Sequence, residues 1–276
     1  MMQPTLPGID LSLEAYTEDA IRLLRQAAPA DGQPYYGCFS GGKDSCVIKE
    51  LTRLAAVPVV WHYNVTTIDP PELVHFIRRE HPDVVFERPA MNFFTFALKM
   101  KHGFPTRRVR WCCEVYKEQR SPLGSRLVMG VRAAESPRRA KNWRELTFHT
   151  RTREYAVCPI VRWSDEQVWA FIRQRGLAYC SLYDEGFTRL GCIGCPMARK
   201  AGRLKEFTRW PGFERKWKEL FQQTWAKRHG QTQRDGRQWF GDRYFSNWEE
   251  MWEWWLNDEP LPKEEHQCQG LLELFV

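Results

Sequence analysis

Tyr35-Tyr36-Gly37-Cys38-Phe39-Ser40-Gly41-Gly42-Lys43-Asp44-Ser45-Cys46-Val47-Ile48-Lys49-Glu50-Leu51 sets an apolar run, a glycine turn and the start of a helix in immediate succession. A strand that turns on glycine into a helix aims several backbone N–H groups at one spot. The helix start adds partial positive charge there, and Lys43 adds a full one. Such a cradle suits an anion, most often a phosphate or pyrophosphate. The GxxxxGK[ST] spacing of the Walker A loop is absent. Glycine alone would mark no more than a turn, but Ser40, Lys43, Asp44 and Ser45 around it favour phosphate.

Outward from this stretch, strand-like and helix-like segments alternate. Leu11 to Gln26 reads as an amphipathic helix, and a helix continues from the turn to about Ala55. Strands are expected at Val57–Tyr63, Val84–Phe86, Arg126–Val131 and Cys158–Val161, and helices at Pro71–Glu80, Phe93–Lys101 and after the cap Ser164. This order predicts an α/β fold with a mostly parallel sheet covered on both faces. Ligands in such sheets sit at the carboxyl ends of the strands, where the glycine turn falls. Beyond Gly176 the pattern changes: Trp210, Trp217 and Trp225 share one face if a single helix spans them, read as core with base stacking as the alternative, and Trp248–Leu256 reads as a Trp-rich helix clamped onto the body. The expected division is an N-terminal helix at 1–30, an α/β nucleotide-binding domain at 31–200 and a helical region at 201–276.

The 276 residues are 43% hydrophobic, enough for a substantial core. No run of eighteen apolar residues occurs, and Met1–Thr5 lacks the charged and apolar regions of an export signal, so a soluble, cytoplasmic protein without a membrane role is expected. The net charge of +7 is uneven. Lys101–Arg153 carries 14 Lys/Arg against 4 Glu, Arg199–Arg237 carries 12 against 4 acidic residues, and the stretch from Gly241 onward carries 2 against 9. Two basic blocks point to a polyanionic partner, a nucleic acid such as DNA or tRNA; the alternative is that these arginines grip a small nucleotide or simply face water.

Nine cysteines form no secreted framework, and a reducing compartment suits them. Cys112-Cys113 lies at an expected helix start, and Gly191-Cys192-Ile193-Gly194-Cys195-Pro196 is a glycine-flanked Cys-x-x-Cys, the form of a metal knuckle. Four thiolates hold either zinc or an iron–sulfur cluster, and the divergent side chains of adjacent cysteines suit a cubane better than one ion. Cys38, Cys46, Cys158 and Cys180 read as small buried hydrophobes.

Four blocks together carry a family likeness: Ser40–Ser45, Cys112-Cys113, Gly130-Val131-Arg132-Ala133-Ala134-Glu135-Ser136-Pro137-Arg138-Arg139, and Cys192–Pro196. With Pro159–Ser164, Val168-Trp169 and Leu182–Asp184 they make residues 30–200 resemble the phosphoadenosine phosphosulfate reductase family, within the adenine nucleotide α-hydrolase-like group that includes ATP pyrophosphatases. The resemblance implies a Rossmann-like (HUP-type) five-stranded domain and a [4Fe–4S] cluster on Cys112, Cys113, Cys192 and Cys195. It implies nucleotide-binding residues Ser40, Gly41, Gly42, Lys43, Asp44, Ser45, Gly130 and Arg132, with Lys43, Asp44, Arg132 and Arg139 in catalytic roles. Arg132 and Arg139 are expected to meet phosphate or sulfate.

Two departures separate the branches. Sulfonucleotide reductases of this family have lost the intact pyrophosphate turn, which this chain keeps. They also use a near-C-terminal Cys followed by Gly-Leu; here Cys268-Gln269-Gly270-Leu271 has one intruding residue and acidic surroundings that disfavour a thiolate. The expected function is therefore an AMP-forming ATP pyrophosphatase in sulfur transfer, using ATP and Mg²⁺, the latter through Asp44, and a sulfur donor. The alternatives are a sulfonucleotide reductase served by a thioredoxin-like reductant, and a non-enzymatic nucleic-acid binder with a regulatory nucleotide site.

Overall fold

The structure is a computed structural model that describes residues 12–100, 103–118, 121–150, 152–232 and 236–261. The chain divides into two compact units, the first from Met1–Val65, Pro71–Arg88 and Arg120–Leu190, the second from Thr66–Pro70, Pro89–Gln119 and Gly191–Val276.

The first unit is built on six strands: β1 (Tyr35–Cys38), β2 (Val59–Asn64), β3 (Val85–Glu87), β4 (Leu127–Met129), β5 (Leu146–His149) and β6 (Glu154–Val157). Their order is β3-β2-β1-β4-β6-β5, every pairing parallel except β5 with β6. The expected mostly parallel α/β sheet is present, with one strand more than the five expected. The difference lies in the fifth strand, expected at Cys158–Val161. Those residues are buried but coil tightly: Val161 donates to the Cys158 carbonyl and Trp163 to that of Ile160, while Pro159 has no N–H to give a ladder. The ladder is made by Glu154–Val157, which folds back on Leu146–His149 as an edge hairpin.

The helix Lys43–Ala55 follows β1 directly and buries Cys46, Val47, Ile48, Leu51 and Ala55. Pro71–Glu80 does the same with Leu73, Phe76 and Ile77. Asp165–Arg175 opens with a capping box, Ser164 Oγ accepting from the Gln167 N–H while Gln167 accepts from the Ser164 N–H, and ends on Gly176 in the left-handed region. The strand order reverses between β1 and β4, so the loops leaving the carboxyl ends of these two neighbours flank the crevice where open α/β sheets take their ligands.

The second unit is helical. Phe93–Ala97 is shorter than the helix expected to Lys101, its first turn capped by the Asn92 side chain. A single turn, Trp111–Cys113, runs into a wider π-turn, Glu114–Glu118. The helices Arg199–Arg209, Pro211–Arg228, Phe240–Tyr244 and Trp248–Asn257 follow. Their core is aromatic: Trp217 stacks on Trp255 with centroids 4.7 Å apart, and Phe104 on Phe221 at 4.0 Å. Trp217 Nε1 donates to the Ile193 carbonyl and Trp255 Nε1 to that of Pro105, so both indoles are buried without losing a hydrogen bond. Trp210 and Trp217 are buried as the core reading expects, and Trp225 is partly so. No described helix is long and apolar enough to cross a membrane.

Candidate functional site

At the carboxyl end of β1 the chain must reverse into a helix within four residues. Gly41 does so at φ +72°, and a Cβ there would stand 2.7 Å from the side chains of Leu73 and Ile77. Gly42 is the N-cap and offers no side chain to the helix start. The first helical bond runs from the Cys46 N–H to the Gly42 carbonyl, so the N–H groups of Lys43, Asp44 and Ser45 lie ahead of it. That of Lys43 donates to the Tyr183 hydroxyl at 3.0 Å. Ser45 Oγ donates to the Gly42 carbonyl at 2.7 Å and lies 3.3 Å from Ser40 Oγ, which stitches the turn to itself.

Around the turn, charge is gathered and balanced. Lys43 is buried, with Nζ 3.1 Å from Asp165 Oδ1 and 3.9 Å from Asp44 Oδ2. Arg132 is 3% exposed and bridges the same two carboxylates, Nε to Asp44 Oδ1 and Nη2 to Asp165 Oδ1 at 2.8 Å. Burial opposes ionisation of Asp165, but Lys43 and Arg132 outweigh it and hold the carboxyl below its ordinary value. Gly130, at the end of β4, brings its backbone against that of Asp44; a Cβ would come within 3.1 Å of the Asp44 carbonyl. The carboxylate of Glu135 accepts both the Arg132 N–H and the Arg139 guanidinium. Burial, and then the like charge of Arg189, lower the pKa of Arg139. Burial also raises the Tyr183 phenol, which therefore stays protonated.

Thus Ser40–Ser45, Gly130, Arg132 and, one step further out, Arg139 come together. Asp44 Oδ1 is paired with Arg132, and its Oδ2 lies 3.9 Å from Lys43 Nζ. Asp165, Tyr183 and Arg189 also belong to this cluster and were not among the expected site residues. Asp165 had a visible signal, an acid beside a helix cap, but nothing in the sequence aims it at Lys43.

Cys112, Cys113, Cys192 and Cys195 all belong to the second unit. Gly194 turns the knuckle at φ +74°, where a Cβ would lie 2.3 Å from Trp217 Nε1, and its N–H donates to Glu206 at 2.7 Å. Cys195 donates its N–H to the Cys192 carbonyl, and the Cys192 thiol lies 3.4 Å from Thr66 Oγ1. The four thiols feel one another electrostatically. Cys112 donates to Cys113, which raises the first and, with the Arg110 guanidinium 3.1 Å from Cys113 Sγ, lowers the second to about 5. Burial raises Cys192 to about 11, and its charge is the chief influence raising Lys117. Among the described residues no three Cys, His, Asp or Glu side chains stand close enough to enclose a single metal ion. Cys46, Cys158 and Cys180 are buried, and burial pushes the thiols of Cys46 and Cys158 up to about 12. Cys268 lies outside the described residues.

The family model described as the phosphoadenosine phosphosulfate reductase domain matches residues 35–198, more than half of the chain. An uncharacterised protein of Methanocaldococcus jannaschii is 28% identical over 236 residues, covering 79% of this chain and 47% of its own length. With a second protein of that organism, covered over 46%, the chain spans about half the length of these curated relatives. An adenosine 5′-phosphosulfate reductase of Shouchella clausii is 24% identical over 208 residues, covering 70% of this chain and 84% of its own. A solved phosphoadenylyl-sulfate reductase from Candida auris, in a phosphate complex, is similar at a TM-score of 0.48 and 19% identity, over 67% of this chain and 97% of that one.

Proposed function

This chain belongs to the phosphoadenosine phosphosulfate reductase domain family, and on that premise we propose that it is an AMP-forming ATP pyrophosphatase acting in sulfur transfer to a nucleic acid. The observation that carries this reading is the intact cradle. A glycine turn at positive φ, helix N–H groups of Asp44 and Ser45 ahead of the first helical bond, and a buried lysine together suit a pyrophosphate group. The two basic blocks support a nucleic acid as the acceptor.

In this reading the β- and γ-phosphates of ATP rest on residues 40–45. An acceptor oxygen attacks the α-phosphorus, the bond from that phosphorus to the bridging oxygen breaks, and pyrophosphate leaves with the bonding pair. Lys43 would meet the charge that develops on the leaving group, the main contribution such a site makes. Arg132 would exchange part of its hold on Asp44 and Asp165 for phosphate oxygens, and Arg139, turned by Glu135, would serve the same anion. A sulfur nucleophile then displaces AMP from the adenylated acceptor, a carbon–sulfur bond replacing the carbon–oxygen bond. Mg²⁺ would be carried by the phosphates and would meet Asp44 once Arg132 has turned to the phosphate oxygens.

The thiols fit an iron–sulfur cluster by chemistry. Four sulfurs share one electrostatic environment, attended by Arg110 and Lys117, and a cubane accepts a wider spread of ligands than a single ion. Cys112, Cys113, Cys192 and Cys195 would hold it, and it would supply redox or structural chemistry.

Anaerobic purification, iron and sulfide analysis, and incubation with α-labelled ATP test the proposal. Labelled AMP is the expected product; labelled ADP or unchanged ATP, with DNA and tRNA each supplied, would overturn it. The resemblance to an adenosine 5′-phosphosulfate reductase keeps a second reading: sulfite released from adenylyl sulfate with a thioredoxin-like reductant, and lost in Cys268→Ala, would establish that one instead.

A further inference from the structure

The β5–β6 hairpin at the edge of the sheet carries a surface that none of the chemistry above uses. Among the described residues Phe148 and Tyr155 are the most exposed of the Phe, Tyr and Trp side chains, at 53% and 46%. They stand directly opposite each other in the ladder. The Cys158 N–H donates to the Glu145 carbonyl at 2.8 Å, so by alternation Phe148 and Tyr155 fall at one of the close, non-hydrogen-bonded pairs. Their rings meet edge to face, with centroids 5.6 Å apart and planes at 78°. Such a contact covers at most one face of one ring, and the rest is left to water. Leu146, two residues before Phe148 and on the same side of the strand, is also exposed and extends the apolar surface.

Positive charge flanks this pair along the chain. Lys141 and Arg144 lead into β5 and Arg153 sits in the turn, all three exposed. Arg144 donates to the carbonyls of Ala140 and Trp143, at 2.9 and 2.8 Å, which hold its guanidinium without neutralising it. The acids of the hairpin are already balanced, Glu154 by Arg126 at 2.9 Å and Glu145 by Arg162 at 3.2 Å. Arg203 in the second unit is the opposite case. It is fully buried, and its charge is spent on the carbonyls of Pro196 and Leu256 and on Asp258.

We propose that this hairpin is where a single-stranded nucleic acid lays its bases, stacked on Phe148 and Tyr155, with its phosphates beside Lys141, Arg144 and Arg153. A duplex keeps its base faces inside its own stack, away from the rings. A second copy of this chain would cover the rings but set the same positive excess against itself. An apolar peptide would cover the rings and leave the cations without counter-charge. The inference rests on the reading of a nucleic acid as acceptor and names the surface that receives it.

The test titrates the full chain into 3′-labelled oligouridine and oligothymidine of about ten nucleotides, read by fluorescence anisotropy. These strands carry no adenine and no terminal phosphate, and saturating pyrophosphate fills the cradle throughout. Saturable binding is expected, about tenfold weaker when Phe148→Ala and Tyr155→Ala are combined, with its salt dependence unchanged. Arg153→Gly, which the positive φ at that position accepts, is expected instead to make the slope of log affinity against log salt shallower by about 0.7. Binding of oligouridine alone assigns RNA, and binding of both strands assigns single strands of either sugar. No saturable binding overturns the proposal. So does a loss of less than about threefold in the double ring variant, shown by its melting temperature to be folded. A wild-type dimer that the ring variant dissolves, with strand affinity unchanged, gives the surface to a second copy and overturns it too. Strand binding on the hairpin without AMP formation would remove the pyrophosphatase reading and keep this inference; AMP formation with strand affinity indifferent to the rings would remove this inference alone.

Discussion

At the end of β1, Lys43 and Arg132 are held by Asp44 and Asp165, two carboxylates that belong to the same buried cluster. Beside the knuckle, Arg110 is held by the sulfur of Cys113, and Lys117 responds first to Cys192 and only then to Asp69. The first region is therefore charge-balanced within itself, so its cations are in position before a ligand arrives. The second is balanced only as far as its thiols lose protons.

The sharpest way to break this contrast is to remove sulfur. Cys192→Ser with Cys195→Ser is expected to cut iron and sulfide per chain to under about a tenth of wild type, read by metal analysis after anaerobic purification. Full iron retention would show that the knuckle does not depend on its thiols. Next in size, Lys43→Ala should slow AMP formation by about a hundredfold or more, as loss of a preorganised charge at a developing anion does, while the folded state is kept; a change below fivefold would mean that Lys43 is only a partner for Asp165.

Arg132→Met sharpens the same point through stability. Leaving Asp44 and Asp165 without their shared guanidinium should cost about 3 kcal/mol in urea unfolding, and a loss under about 1 kcal/mol would show a network that does not support the fold. The smallest effect comes from Asp165→Asn. The Asp165 carboxyl is depressed when folded, so its contribution is present above the ordinary carboxylate range and is lost as pH falls through the lower folded value. The melting temperatures of wild type and Asp165→Asn should differ near pH 7, by the equivalent of about 1 kcal/mol or less for a half-exposed carboxylate, and converge only once the pH has fallen through the lowered folded value, beneath the ordinary carboxylate range. Curves that stay parallel would remove Asp165 from the network.

The cradle was legible because its parts are consecutive: strand, glycine turn, lysine and helix occupy residues 35–51 in order. The knuckle was legible for the same reason. What escaped reading arrives from far along the chain. Tyr183 meets Lys43 across 140 residues, and Asp165 meets Arg132 across 33, contacts that no local spacing announces. The hairpin of β5 and β6 was missed for a different reason. Its exposed face carries Leu146, Phe148 and Tyr155 where alternation would place polar residues, and its turn uses Arg153 at φ +54° with no glycine to mark it. Conversely, Cys158–Val161 looked like a strand because it is buried and apolar, and burial alone does not make a ladder.

Arg203 reaches the carbonyl of Pro196 with one nitrogen and that of Leu256 with another. The residue after Cys195 and the last turn of Trp248–Asn257 therefore share a single fastener. When thermal motion unwinds that final turn, Arg203 loses its Leu256 acceptor, and its hold on the Pro196 carbonyl, which Arg107 Nη1 shares at 3.5 Å, loosens with it. The amide hydrogens of the two segments should then exchange with deuterium at rates that rise together with temperature, as one cooperative opening rather than two.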